Sequence, residues 1–425
     1  MIPFLLYVGI FIAAFFLVRL IAGAVSPTGF SSLKTVTFGD ESAVVPDRRA
    51  SIISVLTLFF LWGTFTGSII VPSFLHMPGP PVGLHTFEHT VQDADGNTDT
   101  ATVTFLLYDP AEGGAEPDAP EVEPGEGFAV NDSLVIETYG SELARLQNND
   151  LLTRDDGTTI IAVNGQPITP GSRLNLDFGT VTMSTRGSIN ILPDQGWQMQ
   201  PIWLPPPENV MSRLIEISTN GFRNFTLLEH LGYSLFRVVV GFALGALVGI
   251  PLGYAMGLSN WARGWFDPIV EFMRPVPPLA LIPLVIIWAG IGEAGKIVLL
   301  FLAALWIMAI AARAGVSGVN ISKVHAAYSL GANKPQIMRH VIVPNSLPEI
   351  FTGARVAMGV CWGTVVAAEL VAAVQGAGMM IMVASRFQNT DIVILGIILI
   401  GVIGFGIDIL MRIAESKLVP WKGKS

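Results

Sequence analysis

Long apolar stretches determine what this chain can fold into. Roughly 20 mostly apolar residues make a helix long enough to cross the hydrocarbon core of a bilayer. Only 13% of the residues are charged and 51% are hydrophobic, whereas soluble domains carry about 25% charged residues. The sequence therefore predicts an integral membrane protein. The seven predicted spans are Pro3–Ala22, Ile52–Val71, Leu235–Met256, Ile269–Trp288, Ile297–Ala314, Phe351–Val374 and Ile392–Met411.

The fourth predicted span contains the run RPVPPLALIP, Arg274–Pro283. Proline lacks a backbone N–H and kinks or unwinds a helix. An interrupted helix is tolerated at membrane depth only where protein or a water-filled cavity covers the freed carbonyls. The run indicates either a kinked structural helix or a helix that borders a substrate path. If this helix borders a substrate path, the candidate path residues are Arg274, Pro275, Pro277 and Pro278.

An acidic, non-membrane region interrupts the spans. His76–Pro201 carries 19 acidic and 4 basic residues, and the rest of the chain carries 14 acidic and 20 basic residues. The run TFEHTVQDADGNTDTATVTF, Thr86–Phe105, alternates polar and apolar residues around an Asp-Gly turn, which predicts a β-hairpin. This run is similar to the closing hairpin of bacterial immunoglobulin-like repeats. A Pro-, Gly- and Glu-rich linker follows at Ala111–Gly127, and a second β-rich block turns at Asn164–Gly165.

The sequence argues against a catalytic, metal or nucleic-acid site. Phosphate-loop, zinc-protease and serine-hydrolase motifs are absent, and basic residues form no stripe with interleaved aromatics. The run DADGNTD, Asp93–Asp99, predicts a turn more readily than a calcium loop, because its glycine is misplaced. His76, His85 and His89 are interpreted as solvated loop residues rather than metal ligands. The single cysteine, Cys361, excludes an intrachain disulfide.

Basic residues near the span ends predict the orientation, because they collect on the cytoplasmic side of a membrane. With seven spans, all of these residues fall on one side, and the acidic region falls on the other. The first segment lacks the basic start of a signal peptide, so we expect it to be retained. The basic residues are Arg48, Arg49, Arg263, Lys323, Lys334, Arg339, Arg412, Lys417, Lys422 and Lys424.

Between the fifth and sixth predicted spans lies the run HAAYSLGANKPQIMRHVIVPNSLPEI, His325–Ile350. Gly331 is a good helix terminator, and Asn333 can cap a second helix with Pro335 in its first turn. Pro344 is expected to end that helix. A short helix–turn–helix buries little surface alone, so we expect it to dock into a partner.

This stretch resembles the cytoplasmic coupling loop of ATP-binding-cassette (ABC) importer permeases. The family pattern is EAA, three residues, G, nine residues, then I-x-L-P. The corresponding residues here begin at His325 and end at Pro344. His325 replaces the acidic residue that starts the docking helix in the family, which removes a favourable charge at a helix N-terminus. The coupling residues implied by the resemblance are His325, Ala326, Ala327, Leu330, Gly331, Ala332, Val341 and Pro344.

The resemblance extends from Leu204–Leu214 to Leu418–Gly423 and matches the taurine, aliphatic sulfonate and nitrate branch of these permeases. LPEI, Leu347–Ile350, followed by CWGTVVAAELVAA, Cys361–Ala373, is most similar to taurine permeases. The resemblance implies an α-helical membrane protein with the type I ABC importer core of six spans. To this core the chain adds one N-terminal span and a periplasmic β-rich insert. The expected parts are an extra helix 1–24, a cytoplasmic loop 25–51, a first core span 52–71, the insert 72–201, and the core 202–425 with its coupling loop 320–346.

The implied function is ATP-driven import of taurine or a related small sulfonate across the bacterial inner membrane. The implied partners are a cytoplasmic ABC ATPase dimer, a periplasmic substrate-binding protein, a second permease copy and membrane lipid. ATP and Mg²⁺ would bind the ATPase, and this chain would hold no cofactor. The sixth predicted span adds three candidate path residues, Trp362, Thr364 and Glu369. Glu369 is the main reason, because an acidic side chain inside a span is energetically costly and is by default a candidate functional residue. Glu369 is expected to pair with Arg237 or Arg274, or to contact substrate.

Alternatives stay open at this point. The substrate could be nitrate or another small anion. The chain could be a secondary transporter or channel that works without ATP, or a surface receptor whose β region is the working part. The β region itself either clamps or replaces part of the binding protein, or stabilises the chain as an appendage.

Overall fold

The computed structural model describes residues 2–25, 48–110, 116–125 and 127–421. These form two compact units, Met1–Glu208 and Asn209–Ser425. The predicted loop 25–51 lies outside the described residues from 26 to 47, as do residues 111–115 and 126 of the predicted linker, and Lys422 and Lys424.

Two apolar helices begin the first unit. Helix α1, Ile2–Val25, covers the first predicted span, whereas helix α2, Arg48–Thr66, ends five residues before the predicted end of the second. The ring of Tyr7 packs edge-on against Phe65 with 5.4 Å between centroids. Its hydroxyl donates to the carbonyl of Leu58 at 3.1 Å. The two helices therefore contact each other through an aromatic pair and one polar link.

The predicted hairpin is confirmed. Strand β1, Gly83–Gln92, pairs antiparallel with strand β2, Thr98–Tyr108. The Asp93 carboxylate accepts the backbone N–H groups of Asp95 and Asn97 at 2.9 and 2.8 Å. This side chain thus closes an ordinary turn, as the sequence predicted. None of the described residues form a group of three metal-ligating side chains.

The strands form two sheets, in the orders β3-β2-β1-β5-β6 and β4-β9-β8-β7. The predicted Asn164–Gly165 turn joins β5 to β6, with positive φ at both residues. Buried side chains of both sheets form one core, in which Phe105 and Phe178 meet at 4.8 Å between ring centroids. The remaining strands are β3 Asp132–Glu137, β4 Glu142–Ala144, β5 Thr159–Val163, β6 Gln166–Pro167, β7 Arg173–Leu176, β8 Gly179–Met183 and β9 Ile189–Pro193.

The chain enters and leaves the β region side by side. Gln198 donates its side-chain amide to the carbonyl of Met77 at 2.9 Å, and Ser68 donates its hydroxyl to Glu208 at 2.6 Å. The indole of Trp62, on α2, donates to the carbonyl of Pro205 at 2.8 Å. Hydrogen bonds therefore hold the outgoing segment against the end of α2.

Two ionisable groups are buried in the β region without full hydrogen bonding. Burial, and then the neighbouring Asp150, raise the pKa of Asp132 to about 7. Burial lowers the pKa of His89 to about 4, against an opposing effect of Asp99. Neither ring nitrogen of His89 has a hydrogen-bond partner among the described residues. One carboxyl oxygen of Asp132 likewise has no hydrogen-bond partner among them. The fold therefore favours a neutral side chain at both positions.

The second unit is helical. A 3₁₀ turn at Pro278–Leu281 precedes α6, and a π turn at Met338–Ile342 precedes α10. The helices are α3 Pro207–Asn220, α4 Leu227–Leu258, α5 Asn260–Met273, α6 Ile282–Ala289, α7 Glu293–Ser317, α8 Ile321–Ser329, α9 Lys334–Ile337, α10 Val343–Ala372, α11 Ala377–Arg386 and α12 Thr390–Leu418.

Every predicted span contains helix, but the fourth is not one helix. Its chain bends by 93° between α5 and Pro278–Ala289, because the prolines interrupt the hydrogen-bond ladder. In the described part of the chain, five helices are long and apolar enough to cross a membrane, and the bent pair makes a sixth if it is one span. Helix α1 adds a shorter apolar stretch, Leu5–Ile21. The count of seven stays a prediction.

Helices α4 and α7 approach closely along a row of glycines. Gly241, Gly245, Gly249 and Gly253 recur every fourth residue and are buried. A Cβ atom at Gly245 would lie 2.5 Å from the Cβ of Ala304 and 2.8 Å from the carbonyl oxygen of Phe301. Small residues at such positions let two helix backbones come together in a membrane. The row therefore determines the spacing of these two helices.

We expect Gly245→Ala to destabilise the helical unit by about 1–3 kcal/mol, because the added methyl forces α4 away from α7. Thermal unfolding in detergent, followed by circular dichroism, measures this. Gly232→Ala is the matched control on the same helix, since a Cβ there meets no atom within 4 Å. Equal melting temperatures for the two variants would contradict the close-packing account.

The contribution of Asp132 to the stability of the β region is expected to fall as the pH rises from 5 to 8, while the lowered pKa of His89 acts in the opposite direction up to about pH 6.5. Asp132 has a folded pKa of about 7, above its unfolded value, so its contribution is present at low pH and is lost as the pH rises toward 7. The loss over this range is about 2–3 kcal/mol, and Asp132→Asn should remove it. Hydrogen exchange of the β2 and β3 amides, corrected for intrinsic rate, measures it in the full chain. Asp95→Asn, in the exposed turn, is the control that should keep the pH dependence.

Candidate functional site

The predicted helix–turn–helix is present between α7 and α10, and we call residues 320–346 the coupling segment. Asn320 caps α8 by accepting the backbone N–H of Ser322 at 2.8 Å. Gly331 ends the helix with φ of +82°, a conformation that glycine adopts without steric cost. Asn333 then caps α9 in a reciprocal pair with Gln336, at 3.0 and 2.8 Å.

Two sequence expectations about this segment are wrong. His325 does not start the docking helix, because α8 begins four residues earlier at Ile321. The helix dipole acts mainly within the first turn, so the exchange of an acid for His325 loses little dipole energy. Pro344 does not end the second helix either. It lies in the first turn of α10, directly after the π turn Met338–Ile342, where a proline is tolerated.

The coupling segment is exposed and firmly attached. Leu330 is 88% exposed at the tip. A groove of about 350 Å³ brings together five of the predicted coupling residues. Lys323 donates to the side chain of Asn345 at 2.8 Å, and Trp421 donates to the carbonyl of Pro344 at 3.2 Å. His325 and Ala326 are exposed on α8 outside this groove. The five groove residues are Ala327, Leu330, Gly331, Ala332 and Val341.

The candidate path residues separate into two places. Arg274, Pro275, Pro277 and Pro278 all line one cavity of about 520 Å³, which we call the bend cavity. Its other walls come from α7 and α10. A cavity here agrees with the requirement that an interrupted helix be covered by protein or water.

Trp362, Thr364 and Glu369 do not line the bend cavity. Trp362 is 6% exposed and donates its indole N–H to the carbonyl of Ile400 on α12 at 3.0 Å. Thr364 is 4% exposed. The structure places these two side chains in the helix packing.

Glu369 belongs to a cluster of four charges, of which Arg237, Lys296 and Glu369 are buried and Glu293 is half exposed. Its carboxylate lies 2.6 Å from the guanidinium of Arg237, and both side chains are fully buried. Arg237 also donates two hydrogen bonds of 2.6 Å to Glu293, and Lys296 donates to Glu293 at 2.8 Å. Of the two partners expected for Glu369, the structure therefore shows Arg237 and not Arg274.

The remaining lone pairs of Glu369 are also satisfied. It accepts hydrogen bonds from the Ser234 hydroxyl at 2.8 Å and from the backbone N–H of Gly378 at 2.9 Å. A Cβ atom at Gly376 would lie 2.4 Å from its carboxyl carbon. Full pairing of a buried acid favours a structural role over substrate contact.

Sequence reasoning missed Glu293, Lys296 and Ser234 as members of this cluster. The signal was present, since Glu293 and Lys296 stand one turn apart at the start of an apolar run. Two charges at a span end, however, are usually solvated. Their pairing with Arg237 depends on which helix lies alongside, and the apolar pattern does not specify that.

The charge cluster and the coupling segment lie at opposite ends of α7. Glu293 is the first residue of this helix and Ser317 the last, a run of 25 residues. At 1.5 Å per residue the helix is about 37 Å long. A perturbation at one of these places therefore reaches the other only through the helix packing.

Glu369→Gln should destabilise the helical unit by about 3 kcal/mol, because the side chain keeps its shape while Arg237 loses a buried counter-charge. Thermal melting in detergent measures this. The control is Glu216→Gln, whose partner Arg213 is partly exposed, and which should cost less than about 1 kcal/mol. A similar melting temperature for both variants would show that the cluster contributes no more than a surface pair.

Comparison with known proteins supports a transport role. Residues 245–420 match the model of the family described as binding-protein-dependent transport system inner membrane component. The taurine transport system permease protein TauC of Escherichia coli (strain K12) is 44% identical over 57% of this chain and 91% of its own length. The putative aliphatic sulfonates transport permease protein SsuC of the same organism is 37% identical over 53% of this chain and 84% of its own length.

Two further proteins extend the comparison. The nitrate import permease protein NrtB of Synechocystis sp. (strain PCC 6803) is 32% identical over 52% of this chain and 82% of its own length. The inward-facing MetNI methionine ABC transporter has a chain that is 19% identical, covers 49% of this chain and 97% of its own length, and superposes with a TM-score of 0.38.

The chain is an ABC transporter permease subunit of the taurine, sulfonate and nitrate group, a multi-pass membrane protein with a transport role rather than an enzymatic one. These relatives do not favour a transporter or channel that works without ATP. Since the chain is 44% identical to one curated permease over 91% of that protein's length, it belongs to the family of binding-protein-dependent transport system inner membrane components.

Proposed function

We propose that this chain is the membrane-spanning subunit of an ATP-driven importer for taurine or a related small sulfonate. The exposed coupling segment is the observation that carries the ATP-driven part of the proposal. The relatives support the proposed substrate, since identity is 44% to the taurine permease, 37% to the sulfonate permease and 32% to the nitrate permease. Nitrate is therefore the less favoured substrate.

ATP hydrolysis is assigned to a separate subunit with its Mg²⁺, and this chain receives the resulting movement. The predicted coupling residues supply a small surface with a protruding apolar tip, Leu330. From Lys334 to Leu370 the chain is one long helical run. A displacement of the coupling segment is therefore passed to the membrane-spanning part of α10 without an intervening loop.

The bend cavity is proposed as part of the translocation path. The prolines Pro275, Pro277 and Pro278 hold the chain open at the bend, and Arg274 provides a positive charge there. A guanidinium suits a sulfonate because it donates several hydrogen bonds from one plane. Trp362, Thr364 and Glu369 are proposed to hold the surrounding helices in place and do not touch substrate.

The proposed assembly contains two copies of this permease, an ATPase dimer on the coupling segments and a binding protein on the opposite side of the inner membrane. Family membership implies the ATPase and the binding protein. Because the charge cluster and the coupling segment occupy opposite ends of α7, the charge cluster would face the periplasm. The distribution of basic residues supports a periplasmic β region, which would either clamp or replace part of the binding protein, or stabilise the chain as an appendage.

Leu330→Glu should abolish co-purification of the ATPase subunit and lower ATP-dependent taurine uptake about tenfold, because a charge replaces the apolar tip of the docking surface. Folding should be unchanged, since Leu330 is 88% exposed. Gly331→Val should act in the same direction through strain at φ of +82°.

The control is Leu151→Glu, at a 75% exposed leucine of the β region. It makes the same chemical change away from the coupling segment, and co-purification of the ATPase subunit should be normal. Full uptake by the Leu330 variant, or taurine flux in liposomes without ATP, would contradict the proposed coupling.

A further inference from the structure

The bend cavity carries one positive and one negative side chain on different walls. Arg274 lies at the bend after α5, and Glu349 lies on α10. We propose that this pair selects a zwitterionic amino-sulfonate, with Arg274 facing the sulfonate and Glu349 facing the ammonium group. This inference rests on the proposed function. The inference concerns the membrane subunit's own selectivity, in addition to that of any protein that delivers the substrate.

Arg274 is available to a ligand. Its only ion-pair partner among the described residues is Glu271, at 3.8 Å, and 65% of its side chain is exposed. The other oxygen of Glu271 is already bound by Arg313 at 2.9 Å. A distant, shared carboxylate at the surface binds a guanidinium weakly, so a sulfonate in the cavity meets little competition for Arg274.

Glu349 is available as well. Its side chain is exposed, and it forms no ion pair in the part of the chain that the structure describes. It stands one turn before Gly353, where α10 comes close to Ala311 of α7, and all three residues line the cavity. The helix therefore presents this carboxylate at the wall of the cavity without a counter-charge of its own.

The rest of the cavity fits a small polar substrate. The wall is mostly apolar, so the few polar groups determine orientation. Trp306 lines the cavity, and its indole N–H is buried and finds no acceptor among the described residues. Such a donor is costly to leave unpaired, and it provides a second hydrogen bond for a sulfonate oxygen near Arg274.

The charge pair distinguishes between the substrates transported by this group. Nitrate and alkanesulfonates are purely anionic, and a facing carboxylate repels them. An amino-sulfonate carries both charges, so each end of it meets the opposite charge. Glu349 is thus the discriminating residue, whereas Arg274 serves every anion alike.

The test compares taurine with ethanesulfonate, which lacks only the amino group. ATP-dependent uptake of both sulfonates is measured at saturating concentration in cells that express the complete transporter. Under these conditions the maximal rate reports on the translocation path, whereas the half-saturating concentration reports on delivery by the binding protein. Glu349→Gln should lower the ratio of taurine to ethanesulfonate uptake about two- to fivefold, which corresponds to the interaction energy of a partly solvated charge pair. Glu349→Asp should keep most of the preference.

Two further variants complete the design. Arg274→Gln should reduce uptake of both sulfonates alike and leave their ratio unchanged. Glu216→Gln, an exposed carboxylate on α3, is the matched control with normal rates. Melting temperatures show that each variant is folded.

An unchanged ratio in the Glu349→Gln variant, or an equal loss of both substrates, would overturn the selectivity inference. Loss of the ATPase subunit from that variant would overturn it too, by assigning Glu349 to assembly. If the unaltered transporter imports neither sulfonate, the failure lies with the proposed function itself.

Discussion

The close contact between α4 and α7 determines the geometry of the helical unit. Gly241 to Gly253 present four glycines on one face of α4, and the backbone of α7 lies against them. Arg237 stands one turn before Gly241 on the same face. The glycine row therefore carries Arg237 to the start of α7, where Glu293 and Lys296 are found. Without that spacing, a buried guanidinium would lack its counter-charges, at a cost of several kcal/mol.

The four-charge cluster in turn fixes the far end of α10. Glu369 binds both Arg237 and the backbone N–H of Gly378, so one carboxylate joins α4, α10 and α11. The charges of the cluster balance, with two acids and two bases. A neutral cluster of this kind tolerates burial in an apolar bundle because every charge keeps a partner. One end of α10 is thus held, while its other end continues into the coupling segment.

Much of this arrangement could be predicted from sequence. Apolar length predicts helices, period-two alternation predicts the hairpin, and Gly331 with Asn333 predicts the turn of the coupling segment. Few basic residues lie within the spans, so the sequence leaves only Arg237 and Arg274 as expected ion-pair partners of Glu369, and the structure shows Arg237. These are local or compositional signals, and they do not depend on which helices are neighbours.

The rest depends on packing that a single apolar pattern does not encode. The prolines predict a kinked or unwound helix but not the observed 93° bend. They specify where the helical hydrogen bonds are interrupted, and not how the two helical segments pack on either side. The short helix α11 was not predicted, because ten residues are too few for a span. In the sequence Glu349 is merely one residue of the LPEI run, and its place in the bend cavity depends on the position of the prolines opposite α10.

The π turn at Met338–Ile342 has a mechanical consequence. It joins the coupling segment to α10 by a continuous helix, so the connection resists twisting as well as compression. In the proposed assembly, a displacement of the docked segment would therefore move α10 as one body. The face bearing Glu349 would then shift relative to the proline bend, so the movement that couples the subunits would also act on the charge proposed to select the substrate.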